Sequence, residues 1–243
     1  AASDVYKRQF SFYEGSPVRT VRLKKNDATL DVLSFHVEAK KIVLCTNGFE
    51  NFSIINEVGT EIDTKFHHSI VGRIGYMSGY IEPLNNPPTA INYFLKTHNK
   101  SGDPTGEDYF YLTRRPHEHE GKDSYNLVCA GGPEKVLPNG ATYSRGHYYS
   151  EDVKDLIEKS LQHNYGKYSK EQPAFAFSWH GLMGYTPNGI RRIGPEPCNP
   201  VLLYNLGCNG VGILPSIYGG KRISQFIRGE RMQLSVFDPH DQG

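Results

Sequence analysis

The stretch that most constrains this chain is 201–229. A short apolar run, Val201 to Leu206, reads as a buried strand. It enters Gly207-Cys208-Asn209-Gly210-Val211-Gly212, a glycine-rich bend. A helical pattern follows, with Ile213, Ile217, Ile223, Phe226 and Ile227 at its apolar positions and Gly229 at its end. Strand, glycine bend, helix is a general device. Glycines let backbone N–H groups approach a ligand, and a helix N-terminus favours negative charge. The glycine order is G-x-x-G-x-G, not the G-x-G-x-x-G of a first dinucleotide-binding turn, so the bend alone reads as a tight turn packing a helix on a sheet.

The preceding segments give that bend a context. Phe175 to Tyr185 is aromatic-rich and meets a turn signal, Thr186-Pro187-Asn188-Gly189. Far upstream, Ile42 to Cys45 forms a four-residue apolar run between lysines and Thr46-Asn47-Gly48, which reads as a fully buried strand ending in a tight loop. Residues 10–38 read as short strands, one over 17–23 and a second over 29–37, with a turn at Asn26-Asp27. Residues 70–84 read as a bulged strand, and three further strands are expected over 91–95, 109–113 and 125–130, an antiparallel meander closed by Gly131-Gly132-Pro133. Arg114, Arg115, His117 and His119 follow the middle strand, either as a solvated charged loop or as an anion-binding mouth. Residues 150–165 read as the clearest helix, with Ser150 as N-cap, Val153, Leu156, Ile157 and Leu161 as its apolar stripe and Gly166 as its stop.

Composition excludes several classes. The net charge of +1 favours neither nucleic acid nor a charged membrane surface. No apolar run of about 18 residues exists to span a membrane. The four cysteines have no C-x-x-C spacing, so neither a zinc site nor a disulfide framework is expected; isolated cysteines fit a reducing cytoplasm. His67-His68 is not expected to bind metal, because adjacent side chains diverge on a strand. No nucleophile-elbow G-x-S-x-G exists, which sets a hydrolase aside.

Trp179-x-Gly181, Thr186-Pro187-Asn188-Gly189, Ile193-Gly194-Pro195 and Asn205-x-Gly207-x-Asn209-Gly210-x-Gly212 form an ordered series. It resembles the C-terminal part of FAD-dependent oxidoreductases of the D-amino-acid oxidase, glycine oxidase and sarcosine oxidase superfamily, over roughly residues 16 to 230. The resemblance implies an α/β (mixed α+β) fold in which a partial FAD-binding Rossmann-like domain, 10–71 and 176–230, is interleaved with an antiparallel substrate domain, 72–175. Residues 1–9 read as a non-native, tag-like remnant and 231–243 as a loose tail. The implied activity is oxidation of a C–N bond in an amine or amino acid, by hydride transfer to flavin.

Carried over residue by residue, Thr46, Asn47 and Gly48 match the dinucleotide-side loop, and Gly207, Asn209, Gly210, Val211 and Gly212 match the bend at the flavin ring. Trp179 matches an aromatic residue near the substrate pocket, a position that core packing explains equally well. No catalytic acid or base is identified. Met183 stands where glycine oxidase-like members carry a carboxylate-binding arginine, which points away from an α-amino acid held in that mode. Arg115, Arg191 or Arg192 would supply a carboxylate contact instead, or the substrate is an amine or polyamine derivative. The family's N-terminal G-x-G-x-x-G unit is not in this sequence. The expectation is therefore a chain that binds FAD poorly by itself and needs either that missing segment or a partner chain. The alternative is a non-catalytic, flavoprotein-derived binding module.

Overall fold

A computed structural model describes residues 10–33, 35–49, 52–62, 70–94, 109–138, 142–165 and 175–239. In chain order its elements are β1 (Val18–Leu23), β2 (Ala28–Val32), β3 (Phe35–Ala39), β4 (Ile42–Leu44), β5 (Ser53–Asn56), β6 (Val71–Pro83) and β7 (Thr89–Phe94). Then come β8 (Tyr109–His119), β9 (Lys122–Val136), α1 (Glu151–Tyr165), β10 (Phe177–Tyr185), β11 (Arg192–Pro195), β12 (Leu202–Leu206) and α2 (Ile213–Ile227). The result is a mixed α/β fold in two compact units, one formed by Ala1–Ile70 with Gly184–Gly243, the other by Val71–Met183. The sequence puts the second boundary at 175/176, whereas the structure places it after Met183, because β10 joins β6 at the edge of the second unit's sheet.

The first unit holds two sheets. One has the order β3-β2-β1-β5, antiparallel except for the parallel β1–β5 pair. The turn between β1 and β2 closes with the Lys24 N–H donating to the Asp27 carbonyl at 2.9 Å. The single strand expected over 29–37 is instead two, β2 and β3, because Leu33 adopts φ 48° and reverses the chain. The other sheet has the order β11-β12-β4, with β12 parallel to β4. Strand β12 is central and apolar along nearly its whole length, as a strand covered on both faces must be. Strand β4 departs from the fully buried expectation. Ile42 and Leu44 are buried, but Val43 is 37% exposed. The core of this unit joins Val21, Leu23, Ala28, Ile42, Leu44, Val201, Leu202, Tyr204 and Leu206.

Residues 231–239 correct the loose-tail expectation. Arg222 of α2 forms a buried ion pair with Asp238 and donates to the Gln233 carbonyl at 2.9 Å. The Phe237 carbonyl accepts the Ile193 N–H at 2.8 Å, which fastens the segment to β11.

The second unit is one antiparallel sheet, β10-β6-β9-β8-β7, with α1 packed on one face. Its hairpins run longer than the sequence suggests. Strand β8 continues through Arg114 and Arg115 to His119, turns at Glu120 (φ 51°) and Gly121 (φ 72°), and returns as β9. Pro116 is tolerated there because β7 pairs with β8 only as far as Arg114, which leaves an open edge beyond it. Arg114 is thus not in a solvated loop: its Nε donates to Glu82 at 2.6 Å. Likewise Gly131-Gly132-Pro133 does not close β9, which runs on to Val136 past a bulge opposite Gly75 and Met77. Helix α1 buries Val153, Ile157 and Leu161, whereas Leu156, expected in the same stripe, is exposed. The Lys154 N–H donates to the Ser150 carbonyl, which places Ser150 at the N-cap.

His67-His68, Gly166 and the loop expected over 97–107 lie outside the described residues. Among the described residues, no group of three His, Cys, Asp or Glu side chains could hold a metal, and no helix is long and apolar enough to cross a membrane.

Candidate functional site

In the first unit, three loops converge on the start of α2: the turn after β4, the turn 186–189 and the bend 207–212. Two asparagines hold them together. Asn47 sits at φ 61°; its Oδ1 accepts the Cys208 N–H at 2.7 Å and its Nδ2 lies 3.4 Å from Cys208 Sγ. Asn209 sits at φ 47°; its Oδ1 accepts the Thr186 N–H at 2.8 Å and the Thr186 hydroxyl at 3.2 Å, while its Nδ2 donates to the Gly189 carbonyl at 3.0 Å. The Phe49 N–H closes the first turn on the Thr46 carbonyl at 3.2 Å. Gly207, Asn209 and Gly210 all have positive φ, the conformation that glycine adopts freely and asparagine tolerates. At Gly207 a side chain is also sterically barred, since a Cβ there would stand 2.6 Å from Thr186 Cγ2.

The eight residues expected to bind the cofactor, Thr46, Asn47, Gly48, Gly207, Asn209, Gly210, Val211 and Gly212, therefore stand in one place. The two asparagine side chains are spent on fixing the loops, so what the bend offers a ligand is backbone. Helix α2 begins at Gly212 with no side-chain cap and no acid in its first turn. Pro215 has no N–H, and the Gly212, Ile213 and Leu214 N–H groups have no intrahelical partner. A helix start of that kind favours an anion or a polar ring edge.

Arg191 lies behind this helix start. It is 5% exposed, and its Nη2 donates to Ser216 Oγ at 2.9 Å and to Asn205 Oδ1 at 3.3 Å. Nε and Nη1 are buried without a partner, and burial lowers the guanidinium pKa. Asn205 in turn donates to the Ser216 carbonyl at 3.2 Å and packs against Gly219, so one side chain ties β12, α2 and Arg191 together. Of the residues expected at the site, Arg191 is the one whose placement differs from expectation. Its charge is turned into the protein, so a substrate carboxylate does not reach it there. Asn205 enters the sequence series with no role attached and Ser216 not at all, because a lone polar residue in a strand or a helix carries no local signal of what it will clamp.

In the second unit, strand alternation sorts the expected substrate residues onto one sheet face. Tyr76, Leu112, Val128 and Ala130 pack under α1. The opposite face carries Met77, level with Gly131 and Tyr111, and Gly79, level with Cys129 and Thr113. Phe177 lies over Gly79 and Met183 over Gly75, filling space where a Cβ would collide. Trp179 stacks on Phe177 with centroids 5.7 Å apart and is 43% exposed. Arg115 lies one rung beyond Cys129 on the same face; burial raises the Cys129 thiol pKa and Arg115 pulls it back. Trp179, Met183 and Arg115 thus share one apolar, partly open surface. Met77, Tyr111 and Phe177 belong to it as well, and the Gly75-x-Met77-x-Gly79 alternation was the signal that could have shown them.

The first unit thus leads a parallel strand pair through a glycine bend into an uncapped helix, and the second is an antiparallel sheet with a helix on one face. The chain belongs to the FAD dependent oxidoreductase family (DAO), which matches residues 2–226. Solved structures with the same fold include L-proline dehydrogenase from P. horikoshii, with TM-score 0.66, 16% identity and coverage of 98% of this chain and 56% of that one. They also include glycine oxidase from Geobacillus kaustophilus, with TM-score 0.62, 16% identity and coverage of 96% and 54%. Amadoriase I from Aspergillus fumigatus, a fructosyl amine:oxygen oxidoreductase, gives TM-score 0.56, 13% identity and coverage of 91% and 48%. The chain thus spans about half the length of the solved structures it matches. Comparison with curated proteins finds no match. The cofactor of that family is FAD.

Proposed function

We propose that this chain supplies the flavin-ring side and the substrate-binding sheet of an oxidase or dehydrogenase that breaks a C–H bond next to nitrogen in an amine or amino acid. The observation that carries the reading is the uncapped start of α2, held against the Asn47 and Asn209 loops with a buried cation behind it. FAD, when bound, accepts the hydride from substrate. The chain's own residues fix the bend, offer the Gly212, Ile213 and Leu214 N–H groups, and need no side-chain base. Trp179, Phe177, Met77 and Met183 offer an apolar floor for the substrate's carbon skeleton, and Arg115 offers a guanidinium to a carboxylate. Arg192 is not assigned a role. Met183 in place of a carboxylate-binding arginine favours an amine or polyamine derivative over a simple α-amino acid. None of the four cysteines is in a disulfide, which suits a reducing compartment, and a cytoplasmic location is part of the reading.

The test is an absorption spectrum after incubation of the chain with FAD and desalting, followed by anaerobic addition of primary and secondary amines. Flavin bands that bleach with an amine support the proposal. Retained flavin that no amine or amino acid reduces removes the substrate class, and no flavin bands remove the flavin reading for this chain alone.

A second reading has its own observation. Among the described residues strand β4, three residues long, is an edge of a mixed sheet and pairs in parallel with β12, and Ile213, Leu214 and Ile217 of α2 are 79%, 75% and 66% exposed. An exposed apolar helix face and a strand edge with one described neighbour are both surfaces that further α/β structure can cover. On this reading the chain is a subunit that binds FAD only with a partner carrying a G-x-G-x-x-G turn. Co-purification of a yellow complex with such a polypeptide supports it, and absence of association removes it.

A further inference from the structure

Arg191 and Arg222 are buried to the same degree in the same unit, at 5% and 4% exposure, and are treated oppositely. Arg222 is neutralised by Asp238. Arg191 has no carboxylate: its partners are the neutral Asn205 and Ser216, with the Cys208 thiol nearby. A guanidinium carries five N–H donors, and here only those on Nη2 are used. A buried charge left in that state is costly, and an apolar side chain of similar length would remove the cost. Its field is not cancelled within the described structure, and Ser216, which fixes it, belongs to the first turn of α2. The cation therefore adds to the positive end of that helix, at the place where the bend presents its free N–H groups.

Resting on the flavin reading above, we infer that Arg191 is a positioning residue: a buried positive charge, locked by Asn205 and Ser216, that makes the glycine bend favour the negatively charged, reduced form of the flavin. It acts through the field at the helix start and does not touch substrate. On the scale of a charge at a partly buried helix terminus, removing it shifts an equilibrium that places one negative charge there by about tenfold. The guanidinium is shut from solvent, so salt screens this effect less than it would a surface charge.

The experiment compares wild type, Arg191→Met, Arg191→Lys and Ser216→Ala, each loaded with FAD. Two quantities are read besides turnover: the flavin midpoint potential and the dissociation constant for sulfite, which places a negative charge on the ring. The expected result is a sulfite dissociation constant raised about tenfold in R191M, with a lower potential, most of both recovered in R191K, and a smaller shift of the same sign in S216A. An R191M protein that holds FAD with wild-type potential and sulfite affinity overturns the inference and leaves the flavin reading intact. Should R191M not fold, wild-type values in S216A overturn it instead. Failure of wild type to retain FAD with or without a G-x-G-x-x-G partner overturns the flavin reading and this inference together.

Discussion

Replacing Asn209 separates the two things that hold the glycine bend in shape. The side chain makes three hydrogen bonds, two accepted from Thr186 and one donated to the Gly189 carbonyl. At about 1 kcal/mol net for a well-formed bond, and less where water competes, their loss costs about 2 kcal/mol. The backbone at φ 47° adds a second cost for any residue with an ordinary Cβ, about 1 kcal/mol for alanine. Asn209→Ala is therefore expected to destabilise the first unit by about 3 kcal/mol, and Asn209→Gly by about 2, because glycine loses the bonds but adopts the dihedral freely. Urea unfolding followed by the midpoint at constant slope measures both. Equal costs for the two variants would show that the positive φ does not bear on stability. A cost for Asn209→Ala below about 0.5 kcal/mol would show that the Thr186 turn is not fastened by this side chain, and the reasoning about a pre-set bend would fail.

Other expectations can be checked separately. Lys135 and the Ser150 hydroxyl hydrogen-bond the Asp152 carboxylate and hold its pKa down to about 2, so its contribution is complete above the ordinary carboxylate range and is lost as pH falls through about 2. Lys135→Met should return that titration, read by carbon-detected NMR, towards the ordinary value. Asp238→Asn leaves Arg222 buried without its charge partner, so it should cost about 3 kcal/mol and expose residues 231–239 to limited proteolysis, whereas wild type resists. Gly219 and Gly220 are adjacent in α2 but not equivalent: a Cβ at Gly219 would stand 2.6 Å from Asn205 Oδ1, while at Gly220 it meets nothing within 4 Å. Gly220→Ala should therefore stabilise by about 0.5–1 kcal/mol and Gly219→Ala should destabilise by about 1–3 kcal/mol, as read by thermal unfolding.

What was legible in the sequence was what single residues or short periods dictate. The 201–229 unit could be read in order because β12 is buried nearly throughout, the bend needs glycine or asparagine at its positive-φ positions, and α2 starts after Gly212. The start of α1 at Ser150 has an equally local cause. The misreadings share a cause too: each depends on a partner far along the chain. Pro116 signals a loop until it is known that β7 stops pairing at Arg114. Val43 looks like core until β4 proves to be a sheet edge. The 231–239 segment has no periodicity, yet Asp238 finds Arg222.

Arg191 shows the same limit at the candidate site, and it also shows why the limit matters for function. In sequence it is one of two consecutive arginines after a turn, and an exposed role in binding a carboxylate is the natural reading. Placed in the fold, it faces Asn205 and Ser216 and has its charge sealed in. A solvated arginine would act by contact and be screened by salt; a buried one acts through the field of the helix start and is screened little. On the proposed reading, Asn47 and Asn209 serve geometry and Arg191 serves electrostatics, which leaves the ligand to be met by backbone N–H groups. A site built that way discriminates by charge distribution more than by side-chain fit. The same reading assigns substrate selectivity to the sheet face of the second unit that bears Phe177, Trp179, Met183 and Arg115.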